Sequence, residues 1–273
     1  MTVIDITPWR LAAGYLLFII PFGIALWLRV GIIGQMAIAI VRMTVQLLFV
    51  GLYLHVVFDL NNPWLNSVWL LVMICVADVS ITRGCGIQLK RFSIPLFVSL
   101  SVGTAIPLIV FLGPILSIAS FLDAQYVIPI GGMILGNCLR ADIIGVKHFY
   151  ESIKKDEKAF LHALAQGARP GEAMRPYFRD AFHSALAPMI ATMATIGLVA
   201  LPGMMTGVIL AGADPTIAIK YQIAIMIAIF SGTAVTVTLA VILTVKSSFT
   251  PFGILDTSIF TQRTKKQKGQ TVR

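Results

Sequence analysis

The stretch LPGMMTGVILAGADP, at residues 201–215, interrupts an apolar region with prolines, glycines, paired methionines and an aspartate. Proline and glycine stop helices or allow close packing, thioethers are pliable contacts that also bind soft metal ions, and a carboxylate is an oxygen ligand. This combination is typical of a gate or of a solute pathway, and it predicts that role here. The residues predicted to form it are Pro202, Gly203, Met204, Met205, Gly207 and Asp214.

Two structures fit this stretch. The fragment 204–211 is too short to cross a bilayer, and irregular backbone at membrane depth survives only where protein or a water-filled cavity covers it. A re-entrant turn that lines the outer end of a pathway satisfies this condition. The alternative is an external hairpin in which Asp214 and Pro215 cap the following helix.

Polar side chains also lie inside apolar runs. Arg42 and Gln46 are four residues apart and therefore share one helix face. A lone arginine in hydrocarbon is costly, so Arg42 either extends to the headgroups or pairs with Asp78 or Asp142.

A second polar group lies in the sequence LGNCLRADIIG. Asn137 is predicted to line the pathway, whereas Arg140 and Asp142 either tune it or form an internal ion pair. Met189 and Met193 are four residues apart, which suits packing or a solute-facing stripe. Three residues at the start of the last apolar run are predicted to anchor it at the interface: Lys220, Tyr221 and Gln222.

The elements that carry these residues are membrane spans. The chain has 273 residues, of which 58% are hydrophobic and 12% charged, whereas a soluble domain has about 25% charged residues. Long uncharged runs predict an all-α integral membrane protein with about seven transmembrane helices, forming one permease domain over residues 1–273. The predicted spans are 9–28, 34–57, 64–82, 94–118, 126–147, 182–200 and 217–245.

Lys and Arg residues cluster in alternate connections, which predicts the orientation. The N-terminus is expected outside and the C-terminus in the cytoplasm. Segment 148–181 and the basic tail 246–273 are then cytoplasmic, and segment 201–216 is external. The net charge of +9 follows from this topology and does not indicate a nucleic-acid partner.

The chain offers no energy source of its own. Residues 131–136 have the glycine spacing of a phosphate loop, but Asn137 and Cys138 replace its Lys and Ser/Thr. We therefore expect no cofactor on this chain, with ATP and Mg²⁺ bound by a partner subunit if ATP drives it. No nucleophile–base pair and no metal cluster stands at ligand spacing, so an integral-membrane enzyme is not favoured and no metal site is assigned.

Segment 148–181 contains LHALAQGARPGEAMRPYF, which resembles the cytoplasmic coupling loop of ABC-transporter permeases. Ala163 and Gly167 match the E-A-A-x-x-x-G pattern of that loop, whereas Leu161 stands at the position of its glutamate and the downstream I-x-L-P is missing. The resemblance implies docking of an ATPase on this segment. The residues predicted to take part are Phe160, Leu161, Leu164, Gly167 and Arg169.

Four further blocks are similar to the FetB-type (YbbM-type) ABC permeases, whose plant relatives are tied to aluminium tolerance. They are VRMTVQLLFVG, VIPIGGMILGN, GLVALPGMMTGVILAGADP and AIKYQI. The resemblance implies a permease homodimer in the bacterial inner membrane that pairs with a separate ATPase and exports iron or another metal species. Arg140 and Asp142 depart from the family pattern, in which small or apolar residues are usual. The alternative is an ion-coupled secondary transporter of a small solute, with Asp78 and Asp142 as its acidic relay.

Overall fold

The computed structural model describes residues 6–118, 120–250 and 253–260, and this part of the chain is helical, with isolated bridges in place of strands. The prediction of an all-α protein is therefore confirmed. A 3₁₀ turn joins the first two helices, and a π-helical turn, Phe111–Ile115, follows the fifth. The helices are α1 Pro8–Tyr15, α2 Ile19–Trp27, α3 Ile33–Leu60, α4 Pro63–Cys85, α5 Leu89–Val110, α6 Ala124–Lys155, α7 Glu157–Ala165, α8 Pro170–Thr195, α9 Gly203–Leu210 and α10 Pro215–Ser248.

Six helical segments of the described chain are long and apolar enough to cross a membrane, one fewer than the sequence predicted. Each corresponds to one predicted span, and each carries at most two charged residues in its apolar window. They are Pro8–Trp27, Ile33–Leu60, Pro63–Cys85, Leu89–Ile115, Ala124–Lys155 and Pro215–Ser248.

The predicted span 182–200 is not one continuous helix. Its residues belong to α8, which begins in the polar segment at Pro170 and stops at Thr195. Ile196 is extended and Gly197 has a φ of +85°, a left-handed conformation that ends the helix. The next helix, α9, has 8 residues and is about 12 Å long, far less than the hydrocarbon thickness of about 30 Å. In place of this predicted span, α8 is separated from α9 by a non-helical turn at residues 196–202.

Three helices begin with the same local chemistry. The side chain of Asn62 accepts a hydrogen bond from the Trp64 amide at 3.0 Å and caps α4. Asp123 caps α6 and Asp214 caps α10 in the same way, two residues ahead of the donor amide. These caps satisfy amides that lack a partner within the helix and fix where the three helices start. They all lie at one end of the bundle, called here the α9 end; the opposite end is called the α7 end.

The core is built from α4, α5, α6 and α10, with α8 packed on α6 and α10. The helices α5 and α10 make the most extensive contact. Gly103 and Gly232 lie at its centre, where a Cβ atom on Gly232 would stand 2.6 Å from the carbonyl oxygen of Gly103. Only glycine permits this approach of two helix backbones, so the pair determines the spacing of α5 and α10.

Helices α1–α3 lie outside this core. Val57 is the one buried residue of α3, and Ala25 is that of α2. The aromatic rings of Tyr53 and Trp69, 4.0 Å apart between centroids, join α3 to α4. The remaining apolar surface of these helices is thus available to lipid.

Residues 253–260, called here the strap, cross the α7 end of the bundle. Gln88 at the start of α5 donates its backbone amide to the Ile259 carbonyl at 2.9 Å. Arg91 pairs with Asp256 at 2.6 Å. Residues 261–273 of the predicted basic tail lie outside the described residues.

Candidate functional site

A groove of about 140 Å³ lies between α6, α8 and α10. Asn137, which was predicted to line the pathway, and Arg140, for which a pathway role and an internal ion pair were both open, line it from α6. The Asn137 amide also donates to the Met133 carbonyl at 2.8 Å, which orients its side chain. The facing residues on α8 and α10 include Met189, Thr192 and Thr233.

A second cavity, of about 420 Å³, lies toward the α9 end. It is formed by the end of α8, the turn 196–202, α9 and the first part of α10. Pro202 and the buried Met205 line it, together with Met193 and Met226. The cavity is mainly apolar and has methionine on three helices, so its walls are pliable.

The two cavities follow each other along α8, because Thr192 lines the groove and Met193 lines the cavity. On α10, Met226 is eleven residues from the helix start at Pro215, which corresponds to about 16 Å. The second cavity therefore reaches well below the α9 end, and Met205 of α9 forms part of its wall. The turn itself is exposed, with Leu198 at 90% and Val199 at 83%, so this chain alone does not meet the condition that irregular backbone at membrane depth be buried in protein.

The other residues predicted for the gate lie elsewhere. Gly203 and Gly207 are exposed, and Met204 is half-buried against the core. Asp214 is exposed and caps α10, as in the hairpin alternative; hydrogen bonds from Thr216 hold the pKa of its carboxyl below the usual range. Asp214 is thus not brought together with the paired methionines.

Gln222 was predicted to anchor α10 at the interface, and the structure corrects this. Its side chain is 8% exposed, lines the second cavity, and its Oε1 atom has no hydrogen-bond partner among the described residues. A buried amide oxygen without a partner is costly, so this atom is suited to accept a hydrogen bond from a water or a solute.

Asp78 and Asp142 are both buried. Asp78 in α4 accepts a hydrogen bond from Ser93 in α5, and Asp142 in α6 accepts one from Thr236 in α10 at 2.9 Å. The second carboxylate oxygen of each has no partner within the described chain. Each carboxylate therefore ties two core helices together and keeps one oxygen available.

The predicted ion pairs of these carboxylates are absent from the described residues. Arg140 faces the groove between α6 and α8, whereas Asp142 faces α10, because residues two apart on a helix point in nearly opposite directions. Arg42 stands on the peripheral α3, where it lines a cleft with Arg83. Gln46, one turn further along α3, is exposed.

Sequence reasoning missed the threonines of α10. Thr233 lines the groove and Thr236 holds Asp142. The signal was present in the run SGTAVTVT at residues 231–238, since small and hydroxylated residues at helical spacing are typical of tightly packed membrane helices.

The residues predicted to dock an ATPase lie on α7 and on the turn that follows it, and they form one group that faces the bundle and one that is exposed. Phe160 is 2% exposed and packs against Tyr177 and Phe249, with ring centroids 6.1 and 6.0 Å away. Leu164 is half-buried beside Gly253 of the strap. The three remaining residues are exposed: Leu161, Gly167 and Arg169. Phe160 therefore holds α7 to the bundle and is not available as a docking surface, and Leu164 contacts the strap on the same side of α7.

The described residues contain no group of three or more His, Cys, Asp and Glu side chains that could hold a metal ion. The groove instead offers an amide, a guanidinium and hydroxyl groups. Such groups are able to form hydrogen bonds with a polar solute.

Residues 8–249 match the uncharacterised protein family UPF0014. The chain is 36% identical over 215 residues to UPF0014 membrane protein slr1647 of Synechocystis sp. (strain ATCC 27184 / PCC 6803 / Kazusa), covering 78% of this chain and 83% of that protein. It is 30% identical over 245 residues to the probable iron export permease protein FetB of Escherichia coli (strain K12), covering 90% and 93%. Protein ALUMINUM SENSITIVE 3 of Arabidopsis thaliana is 30% identical over 228 residues, covering 83% and 82%. No solved structure matches the chain.

Proposed function

Because this chain belongs to the UPF0014 family of membrane proteins, we propose that it is the membrane-spanning subunit of an ABC transporter that exports iron or another metal species. Two copies form the permease, and two separate ATPase subunits hydrolyse ATP with Mg²⁺ at its cytoplasmic side. The name of the Escherichia coli relative, which aligns with 90% of this chain, supports both the permease role and the cargo.

The observation that carries this function is the structure of α7. This helix is held by the buried ring of Phe160 on one side and exposes Leu161 on the other. It leads through a short turn into α8, the helix that lines both cavities. A short helix of this kind at the membrane surface suits the docking of a soluble subunit, and α8 transmits its displacement to the cavities.

Alternating access then follows from two arrangements of α8 relative to α6 and α10. ATP binding and hydrolysis favour one arrangement or the other, since a ligand shifts an equilibrium by its differential affinity for the two states. The groove and the second cavity are the places where the solute is held in each state.

A second candidate is an ion-coupled secondary transporter, which the buried Asp78 and Asp142 favour. Ionisable residues within membrane spans are expensive and mark proton or ion relays in many transporters. In this case Asp142 carries the coupling ion, and its partner Thr236 moves with it.

Reconstitution distinguishes the two functions. The full chain is placed in liposomes with and without an ABC ATPase subunit, and Fe²⁺ movement is followed with a chelating fluorophore on the receiving side. We expect transport that requires both the ATPase and hydrolysable ATP, and that persists in the Asp142→Asn variant. Transport by the chain alone along a proton gradient, abolished by Asp142→Asn, would instead establish the secondary transporter.

A further inference from the structure

A cleft of about 570 Å³ opens between α3 and α4, on the opposite side of α4 from the core. It is lined by Arg42 of α3 and by Ser80 and Arg83 of α4, and its walls are otherwise apolar, with valines and Cys75. No acidic residue lines it. The cleft thus brings two permanent positive charges together beside an apolar surface.

The helix geometry makes these two charges converge. The helices are antiparallel and meet where Tyr53 stacks on Trp69. Arg42 precedes Tyr53 by eleven residues in α3, and Ser80 follows Trp69 by eleven residues in α4. In the antiparallel pair, Arg42 therefore stands at the level of Ser80, one turn from Arg83. Side chains lean toward the N-terminus of their own helix, so Arg42 leans toward the α7 end and Arg83 leans back toward Arg42. Neither guanidinium forms an ion pair within the described residues.

Two converging guanidinium groups repel each other and are costly near hydrocarbon unless an anion lies between them. Arginine binds phosphate through two parallel N–H···O bonds, and the Ser80 hydroxyl adds a further donor. The α7 end carries most of the basic connections, which predicts that it faces the cytoplasm. Basic pockets between spans on that side are typical sites for anionic lipid headgroups.

We propose that the α3–α4 cleft binds an anionic phospholipid, with its phosphate between Arg42 and Arg83 and an acyl chain along the valines of α4. The apolar wall, in which Val72 and Val76 are exposed, favours a lipid over a free anion, because a free anion gains nothing from the valines. The bound lipid fills the space between α3 and the core. This site is separate from the transport pathway proposed above, and its occupancy does not depend on which solute is moved.

The test uses the purified full chain in detergent, with phosphatidylglycerol as the anionic probe and phosphatidylcholine as the zwitterionic one. Native mass spectrometry measures the lipid retained at each concentration. We expect retention of phosphatidylglycerol in preference to phosphatidylcholine, with about a fivefold loss of apparent affinity for Arg42→Gln or Arg83→Gln and roughly a 30-fold loss for both. The matched control is Arg29→Gln with Lys90→Gln, which removes the same charge from the same end outside the cleft and should change the affinity less than about twofold.

Four outcomes would overturn the lipid site. One is equal affinity of the double cleft variant and the double control. Another is displacement of phosphatidylglycerol by inorganic phosphate at comparable concentration, which would mean a site for free anions. A third is oxidative cross-linking of Cys75 between two copies in native membranes, which would mean that a second copy fills the cleft. If the glutamine variants do not fold, the wild-type chain decides the question, because equal retention of phosphatidylglycerol and phosphatidylcholine would also contradict the lipid site.

Discussion

Phe160 and Leu161 are neighbours on α7, and we expect substitutions at the two positions to have different effects on stability and on ATPase association. Phe160 is 2% exposed and Leu161 is 37% exposed. Truncating a buried phenylalanine to alanine costs about 3–5 kcal/mol, whereas a surface substitution usually changes the free energy of unfolding by less than about 0.5 kcal/mol. We therefore expect Phe160→Ala to destabilise the packing of α7, and Leu161→Glu to leave it intact while removing an apolar contact for the ATPase.

Two assays on each purified variant separate these effects. Thermal unfolding reports packing, and for a chain of this size about 1 kcal/mol corresponds to roughly 2–4 °C. On that scale Phe160→Ala lowers Tm by roughly 6–20 °C, or by less if α7 detaches locally before the core unfolds. Leu161→Glu shifts Tm by no more than about 2 °C, yet we expect it to abolish co-purification of the ATPase subunit.

The chain offers a matched control in Leu122, which is also 37% exposed but precedes α6 at the opposite end of the bundle. Leu122→Glu introduces the same charge at the same exposure and should affect neither Tm nor ATPase association. If Leu161→Glu retains the ATPase as well as Leu122→Glu does, α7 is a structural connector and the docking assignment is wrong.

Two further predictions concern packing and pH. Gly232→Ala should lower Tm relative to Gly51→Ala by the equivalent of about 1–3 kcal/mol. The reason is that a Cβ on Gly232 meets the Gly103 carbonyl oxygen at 2.6 Å, whereas nothing lies within 4 Å of a Cβ on Gly51. Equal Tm values for the two variants would contradict the close approach of α5 and α10. Hydrogen bonds from Ser258 and Arg91 lower the pKa of Asp256 to about 2, so the strap is stabilised above the ordinary carboxyl pKa and loses this contribution as the pH falls toward 2. Protease protection of the strap in the wild type should therefore exceed that of Asp256→Asn at neutral pH and converge with it in acid; a pH-independent difference would refute the coupling.

Hydropathy predicted the six continuous spans because about 20 apolar residues are needed wherever a helix crosses hydrocarbon. It could not predict that the seventh is broken. Residues 182–200 are apolar throughout their later part, but the helix ends at Thr195, because Gly197 takes a left-handed conformation that hydropathy does not register. Glycine within the run was the available signal.

Site residues were harder to predict than spans. The separation of Arg140 from Asp142 follows from helix geometry alone and was available from the sequence. The surroundings of Arg42 were not, because residue spacing along α3 says nothing about how far α3 stands from the core. Likewise the partner of Asp142 is Thr236, 94 residues away, and only the packing of α6 on α10 brings them together.

The helix α8 adjoins the proposed ATPase contact region on α7 and contains residues of the proposed solute path. It begins beside α7, ends at the second cavity, and its 26 residues correspond to about 39 Å. Pro188 lies within it and also lines the groove, next to the point where the first cavity gives way to the second. Proline removes a backbone hydrogen bond and makes a helix bend at a defined place. Pro176 is a second such position nearer to α7. Under the proposed function, a displacement of α7 reaches Pro188 through the stretch between the two prolines, and the part beyond Pro188, which carries Met189 and Met193, changes its angle to α10. Replacing Pro188 with alanine straightens this joint, so under the proposed function we expect ATPase association to persist while transport slows.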